Sequence, residues 1–118
     1  MPELEVQKRY FENHADVMKD LEATGYWPTT YISGETPELP IHHHDHDIIG
    51  YVMEGETYLL NGEGERVAVE AGDRMLIPKG ARHAEGEVKD RVVYIVSFRD
   101  PVQFMDGIMP KGIEPKKG

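Results

Sequence analysis

Residues 41–52 read Ile41-His42-His43-His44-Asp45-His46-Asp47-Ile48-Ile49-Gly50-Tyr51-Val52 and hold four of the chain's six histidines. An affinity tag sits at a terminus, whereas this run is internal, interleaved with aspartate, and continues directly into a β-branched stretch. In extended backbone alternate side chains share a face, so His42, His44 and His46 point one way and His43 and Asp45 the other. Two histidines separated by one residue on a strand can both offer a ring nitrogen to one cation at about 2.0–2.1 Å. A third donor must come from elsewhere, and among the histidines only His14 and His83 remain. His83 follows Pro78-Lys79-Gly80-Ala81-Arg82, a turn after which a strand can restart.

Working outward, short runs of β-formers recur: Thr29–Ile32, Ile48–Met53, Thr57–Leu60, Arg66–Val69, Arg74–Ile77 and Val92–Phe98. Turn material separates them, at Ser33-Gly34, Gly55, Asn61-Gly62-Glu63-Gly64, Ala71-Gly72-Asp73 and Lys79-Gly80. Asn61-Gly62 between two such runs is a hairpin signal, with the loop running on to Gly64. Strands at short, regular spacing without intervening helices predict an all-β, antiparallel sandwich or barrel. Before them, Tyr10, His14, Val17, Met18 and Leu21 fall on one face of a 3.6-residue period, with charged residues opposite and Gly25 as a stop. The organisation expected is an N-terminal amphipathic helix within residues 1–25, a β-barrel over 26–108, and a flexible basic tail over 109–118. That tail holds Lys111, Lys116 and Lys117 against Glu114.

The two histidine segments resemble the paired motifs of the cupin superfamily, in particular its small single-domain, cupin-2-like members. The first motif of that family runs Gly, five residues, His-x-His, three or four residues, Glu, six residues, Gly. His42 and His44 supply the His-x-His here, and Gly55 supplies the closing glycine. The second runs Gly, five residues, Pro-x-Gly, two residues, His, three residues, Asn, and Gly72, Pro78, Gly80 and His83 fit it at every spacing. The resemblance covers Tyr31 to about Phe98. It implies a double-stranded β-helix, or jelly-roll, barrel with a metal held by histidines from two strands. By the same resemblance the chain is expected to form a homodimer.

Three positions depart from the family pattern. Ile48 stands where the motif places its metal-binding Glu, Glu87 where the second motif ends in Asn, and Thr36 where the first opens with Gly. The expected ligand set is therefore reduced to His42, His44 and His83, with His46 in reserve. Three neutral imidazoles leave the charge of the cation uncompensated, so the site should be more electrophilic and hold waters or an anionic ligand in its open positions. Imidazole donors suit transition metals rather than Mg or Ca, which leaves one divalent ion among Fe, Zn, Mn, Ni and Cu. Glu85 and Glu87 follow His83 at two and four residues and would share its face in a continuing strand. Each is a candidate general base or partner to a ligating histidine.

Composition narrows the function from outside. The chain has 118 residues, 13 basic and 22 acidic side chains, a formal charge of −9, and no cysteine. Disulfide scaffolds, thiolate metal sites and cysteine nucleophiles are excluded. An acidic chain without a basic stripe argues against nucleic acid. No stretch approaches the roughly 18 apolar residues of a membrane span, and Met1–Tyr10 lacks the apolar region of a signal peptide, so a cytoplasmic protein is expected. The function expected is that of a metal-binding barrel acting on a small oxygenated molecule, as a dioxygenase, isomerase or lyase. The alternative is a non-catalytic module that binds or senses a small ligand, and the sequence does not choose between them.

Overall fold

The computed structural model describes residues 2–101 and 110–115. Strands β1 (Glu5–Gln7), β2 (Trp27–Ser33), β3 (Ile48–Glu54), β4 (Glu56–Leu60), β5 (Arg66–Glu70), β6 (Arg74–Ile77), β7 (Ala84–Glu85) and β8 (Val92–Phe98) accompany one helix, α1 (His14–Thr24). They form a five-stranded sheet in the order β1-β6-β3-β8-β2 and a three-stranded sheet in the order β5-β4-β7. All pairings are antiparallel. This is the all-β, double-stranded β-helix architecture expected from the sequence, and the six anticipated runs each become a strand.

Register shows how the interior is built. Ile48 lies opposite Phe98 and Ile77, Gly50 opposite Val96 and Met75, and Val52 opposite Tyr94. Directly opposed residues of an antiparallel pair project to the same face, so these side chains form one wall. Val52, Met75, Val92 and Tyr94 from that wall pack against Leu59 and Val69 of the second sheet. At the turn between β3 and β4, Gly55 adopts φ +87°, and a Cβ there would lie 2.4 Å from the Arg91 carbonyl oxygen. Both conditions require glycine.

The opposite face of the five-stranded sheet carries Ile49, Tyr51 and Ile95, covered by Phe11, Val17 and Leu21. Asn13 caps α1 by accepting the Asp16 N–H at 3.0 Å, and Gly25 ends it in the left-handed region while donating to the Leu21 carbonyl. The helix is therefore shorter than the sequence periodicity suggests. Tyr10 and Met18 are 41% and 42% exposed, His14 is exposed, and Val17 and Leu21 alone are buried on the stripe. Residues 1–25 are not one helical unit, because Glu5–Gln7 pairs with β6. Leu4 and Val6 of that segment pack on the interior, an alternation too short to outweigh the helical pattern behind it. The helix is locked to the sheet through Asp20, which accepts from Tyr51 at 2.5 Å and Tyr10 at 2.8 Å and pairs with Arg74 at 3.1 Å. Among the described residues no helix is long and apolar enough to cross a membrane.

The N-terminal strand is tied down by Asp73, which is fully buried. Its carboxylate pairs with Lys8 and accepts the N–H groups of Arg9 at 3.0 Å and Glu70 at 2.8 Å. Burial alone would push its pKa up, but those donors outweigh it and hold the carboxyl below the usual range. A depressed folded-state pKa contributes stability above the unfolded value, near 3.9, and that stability is lost as pH falls through the folded value. Asp73→Asn is expected to flatten the acid limb of a stability-versus-pH curve below about pH 4. Asp73→Ala is expected to cost about 1–3 kcal/mol at neutral pH by leaving the part-buried Arg9 and Glu70 N–H groups without their acceptor. Urea titrations across pH check both, and an unchanged acid limb would show that Asp73 does not anchor the N-terminus.

Candidate metal centre

The chain enters the site along residues 41–44. The backbones of His42 and His83 exchange both hydrogen bonds, at 2.8 and 2.9 Å, which joins the two histidine segments as a β-bridge. Residue alternation turns His42 and His44 inward, and both are buried, as is His83. Their ring centroids stand 5.1 Å (His42–His44), 4.8 Å (His42–His83) and 5.2 Å (His44–His83) apart. After His44 the backbone bends at Asp45 and His46. His46 therefore leaves that face and is not among the clustered donors. His43 points outward and lies 3.7 Å from Asp45. Asp47 also faces away, accepting the Lys79 N–H at 2.8 Å.

The structure adds a fourth donor. One ligand atom each from His42, His44, His83 and Glu85 lies within 4.8 Å of the others. Glu85 Oε2 is 3.3 Å from His42 Nε2, and Glu85 Oε1 is 3.6 Å from His83 Nε2. The reduction to three histidines expected from Ile48 is therefore not what the geometry shows. Ile48 lines the wall as a hydrophobe, and the carboxylate arrives from β7 instead. His83-x-Glu85 repeats the alternation of His42-x-His44, which was the signal available in the sequence. Glu87 does not join them. Strand β7 ends at Glu85, Gly86 turns to donate to the Tyr58 carbonyl at 2.8 Å, and Glu87 is exposed.

The donor chemistry fits a cation. His42 Nδ1 lies 2.8 Å from the Pro40 carbonyl oxygen, and His83 Nδ1 lies 2.9 Å from that of Ala81. A carbonyl can only accept, so each Nδ1 carries a proton, and in the neutral ring each Nε2 keeps its lone pair. Such second-atom hydrogen bonds fix the ring orientation of ligating histidines. His83 Nε2 and Glu85 Oε2 are buried and have no hydrogen-bond partner. Buried polar atoms without partners are costly, and a divalent ion would satisfy both. Burial pushes the Glu85 carboxyl up, but the adjacent His42 and His83 rings reverse this and hold it far below its usual range. Burial likewise lowers His42, and Glu85 raises it above its ordinary value. Without an ion, the Glu85 carboxylate is thus balanced by the positive charge it favours on the neighbouring imidazole.

Three of the four clustered residues, His42, His44 and Glu85, line a cavity of about 520 Å3. Ile48, Gly50, Met75, Ile77, Tyr94, Val96 and Phe98 line it from one sheet and Leu59 from the other, with Thr29–Thr36 along the rim. Pro110 also lines it. The segment 110–115 is docked, against the flexible tail expected there. Lys111 and His43 exchange backbone hydrogen bonds at 2.7 and 2.9 Å, and Glu114 N–H donates to Ile41. Arg82 clamps the Glu114 carboxylate with two bonds of 2.7 and 2.8 Å. Gly112 lies flat on the His43 ring, where a Cβ would come within 2.6 Å of it. Met109 and residues 116–118 of the expected tail, and residues 102–108 of the expected barrel range, lie outside the described residues.

Residues 29–98 match the Cupin domain family. The chain belongs to that family, as the fold and the two histidine segments indicate. Among curated proteins it is similar to a gentisate 1,2-dioxygenase from a Streptomyces species, 29% identical over 82 residues. That match takes in 70% of this chain and 20% of the relative, so the chain spans only a fifth of that enzyme's length. Among solved structures, a DUF861 family protein from Thermotoga maritima superposes with a TM-score of 0.59 at 18% identity, over 80% of this chain and 98% of the other. Acireductone dioxygenase from Bacillus anthracis, with a cadmium ion in its active centre, superposes at 0.58 and 19% identity, over 91% and 82%. Both structural likenesses establish the fold.

The docked segment generates a prediction. Arg82→Ala removes the clamp while leaving the four clustered donors in place. Hydrogen exchange at Lys111 and Glu114 should rise by at least about tenfold while exchange in β3 and β8 stays unchanged. Unaltered protection at Lys111 would show that backbone pairing with His43 alone holds the segment.

Proposed function

We propose that His42, His44, His83 and Glu85 hold one divalent transition metal, and that the protein is a metal-dependent enzyme acting on a small oxygenated molecule. The observation that carries this reading is the convergence of three buried imidazoles and a carboxylate at the base of a cavity large enough for such a molecule. Three imidazoles and one carboxylate suit Fe, Zn, Mn, Ni or Cu and leave one unit of positive charge at the centre. The chemistry such an ion supplies when bound is Lewis-acid activation of a substrate oxygen or one-electron chemistry with dioxygen. Similarity to a gentisate dioxygenase favours the dioxygenase class for this chain.

The residues of the chain do the rest. The Pro40 and Ala81 carbonyls keep two imidazoles in the ligating tautomer. The apolar walls exclude water, which strengthens electrostatic interactions at the base. Glu85 serves as a ligand in this reading rather than as the general base, and Glu87 is too far out on the surface to touch substrate. A homodimer has its own support, because β2 ends its sheet and exposes Trp27, Tyr31 and Ile32.

Untagged protein should copurify with about one ion per chain. His83→Ala and His44→Ala should each lower affinity by more than about 100-fold, beyond the range for a partner one step removed from the metal. Equal metal content in all three proteins overturns the reading. Glu85→Ala should weaken binding at least about tenfold, and adding Ile48→Glu should recover much of it, since Ile48 lines the same cavity base. Oxygen uptake by the iron-loaded protein with small phenols and diketones then tests catalysis. Clear ligand-induced thermal shifts without turnover would point to a binding module.

A further inference from the structure

We infer that the cavity takes a small molecule with an apolar body and one oxygen-bearing head, and that it rejects ligands carrying a second anionic group such as a phosphate or a distal carboxylate. The head group rests on the metal reading above; the selection against a second anion rests on the walls alone. Among the described residues lining the cavity there is no lysine and no arginine. Among the described lining residues the carboxylates are Glu85 at the base and Glu35 at the rim. The remaining polar groups of the rim and wall are neutral hydroxyls, among them Thr29, Ser33, Thr36, Tyr31 and Tyr94.

This emptiness of cations is not a shortage of them in the chain, which has 13. Several are engaged elsewhere: Lys8 on Asp73, Arg74 on Asp20, Arg82 on Glu114, and Arg66 over the Tyr58 ring at 4.3 Å. An anionic tail entering the cavity would lose its hydration among Leu59, Met75, Val96 and Phe98 and meet no counter-charge there. Positive charge is confined to the base, at the proposed metal, and the head group occupies it. A tail reaching the rim would meet Glu35, a like charge. An apolar body instead gains burial against the same side chains.

Three hydroxamates separate the head from the body: acetohydroxamate, benzohydroxamate and 4-carboxybenzohydroxamate, titrated calorimetrically into the cobalt-loaded full chain. Benzohydroxamate should bind roughly 10- to 100-fold more tightly than either of the others. Equal or tighter binding of the carboxylated probe overturns the inference, as does equal binding of acetohydroxamate. A second arm uses metal-free protein with benzamide and 4-carboxybenzamide, observed by ligand NMR, and expects binding of the neutral compound only. Failure of cobalt to bind would count against the metal reading, while this second arm still decides the selection by the walls. Thr29→Lys, checked for an unchanged melting profile, should improve binding of the carboxylated probes in both arms; no improvement overturns the charge argument.

Discussion

The reciprocal hydrogen bonds between His42 and His83 hold the site together. Two segments some forty residues apart are joined by this bridged pair, flanked by the Leu39 N–H on the Glu85 carbonyl and the Gly80 N–H on the His44 carbonyl, both at 3.0 Å. Because the bridge fixes backbone rather than side chains, the ring positions are inherited from strand alternation. His44 and Glu85 each lie two residues beyond a bridged histidine and so project to the same side. Few contacts in the fold organise so much chemistry with so little chain.

The apolar wall and the polar base depend on each other through that alternation. Ile48, Gly50 and Val52 face inward by the same parity that turns Ile49 and Tyr51 out toward α1. A one-residue slip of β3 would exchange the two faces, placing a tyrosine in the cavity and stripping the helix of its partner. The contacts of Asp20 with Tyr51, Tyr10 and Arg74 resist such a slip from the outer face. Asp73 does similar work at the N-terminal edge, where a buried charge with three donors tolerates only one register.

Much of this was legible in the sequence. Turn residues with a mechanism, such as Asn61-Gly62 and Gly72, bracket runs of β-formers, so strand positions followed from local chemistry. The histidine triad was legible because alternation is a strong rule over three residues. The fourth donor was harder. A glutamate two residues after a histidine is also an ordinary surface arrangement in an acidic chain, and only the closeness of β7 to residues 41–44 distinguishes Glu85 from Glu87. Strand β1 and the docked 110–115 segment were misread for a related reason. Both are held by pairing with residues far away in the chain, and three residues of alternation or a Pro- and Gly-containing run carry no local trace of such a partner.

The pairing of Lys111 with His43 has a further consequence. Residues 42–44 would otherwise form the open border of a sheet, with donors and acceptors facing outward and several histidines at hand. Such borders are templates for joining other chains, and a histidine-rich one could also cross-link molecules through shared metal ions. With His83 along one side and the 110–115 segment along the other, the histidine-bearing segment becomes an interior one. The docked segment thereby closes the sheet border beside the four clustered donors, and residues 42–44 present no unpaired edge there.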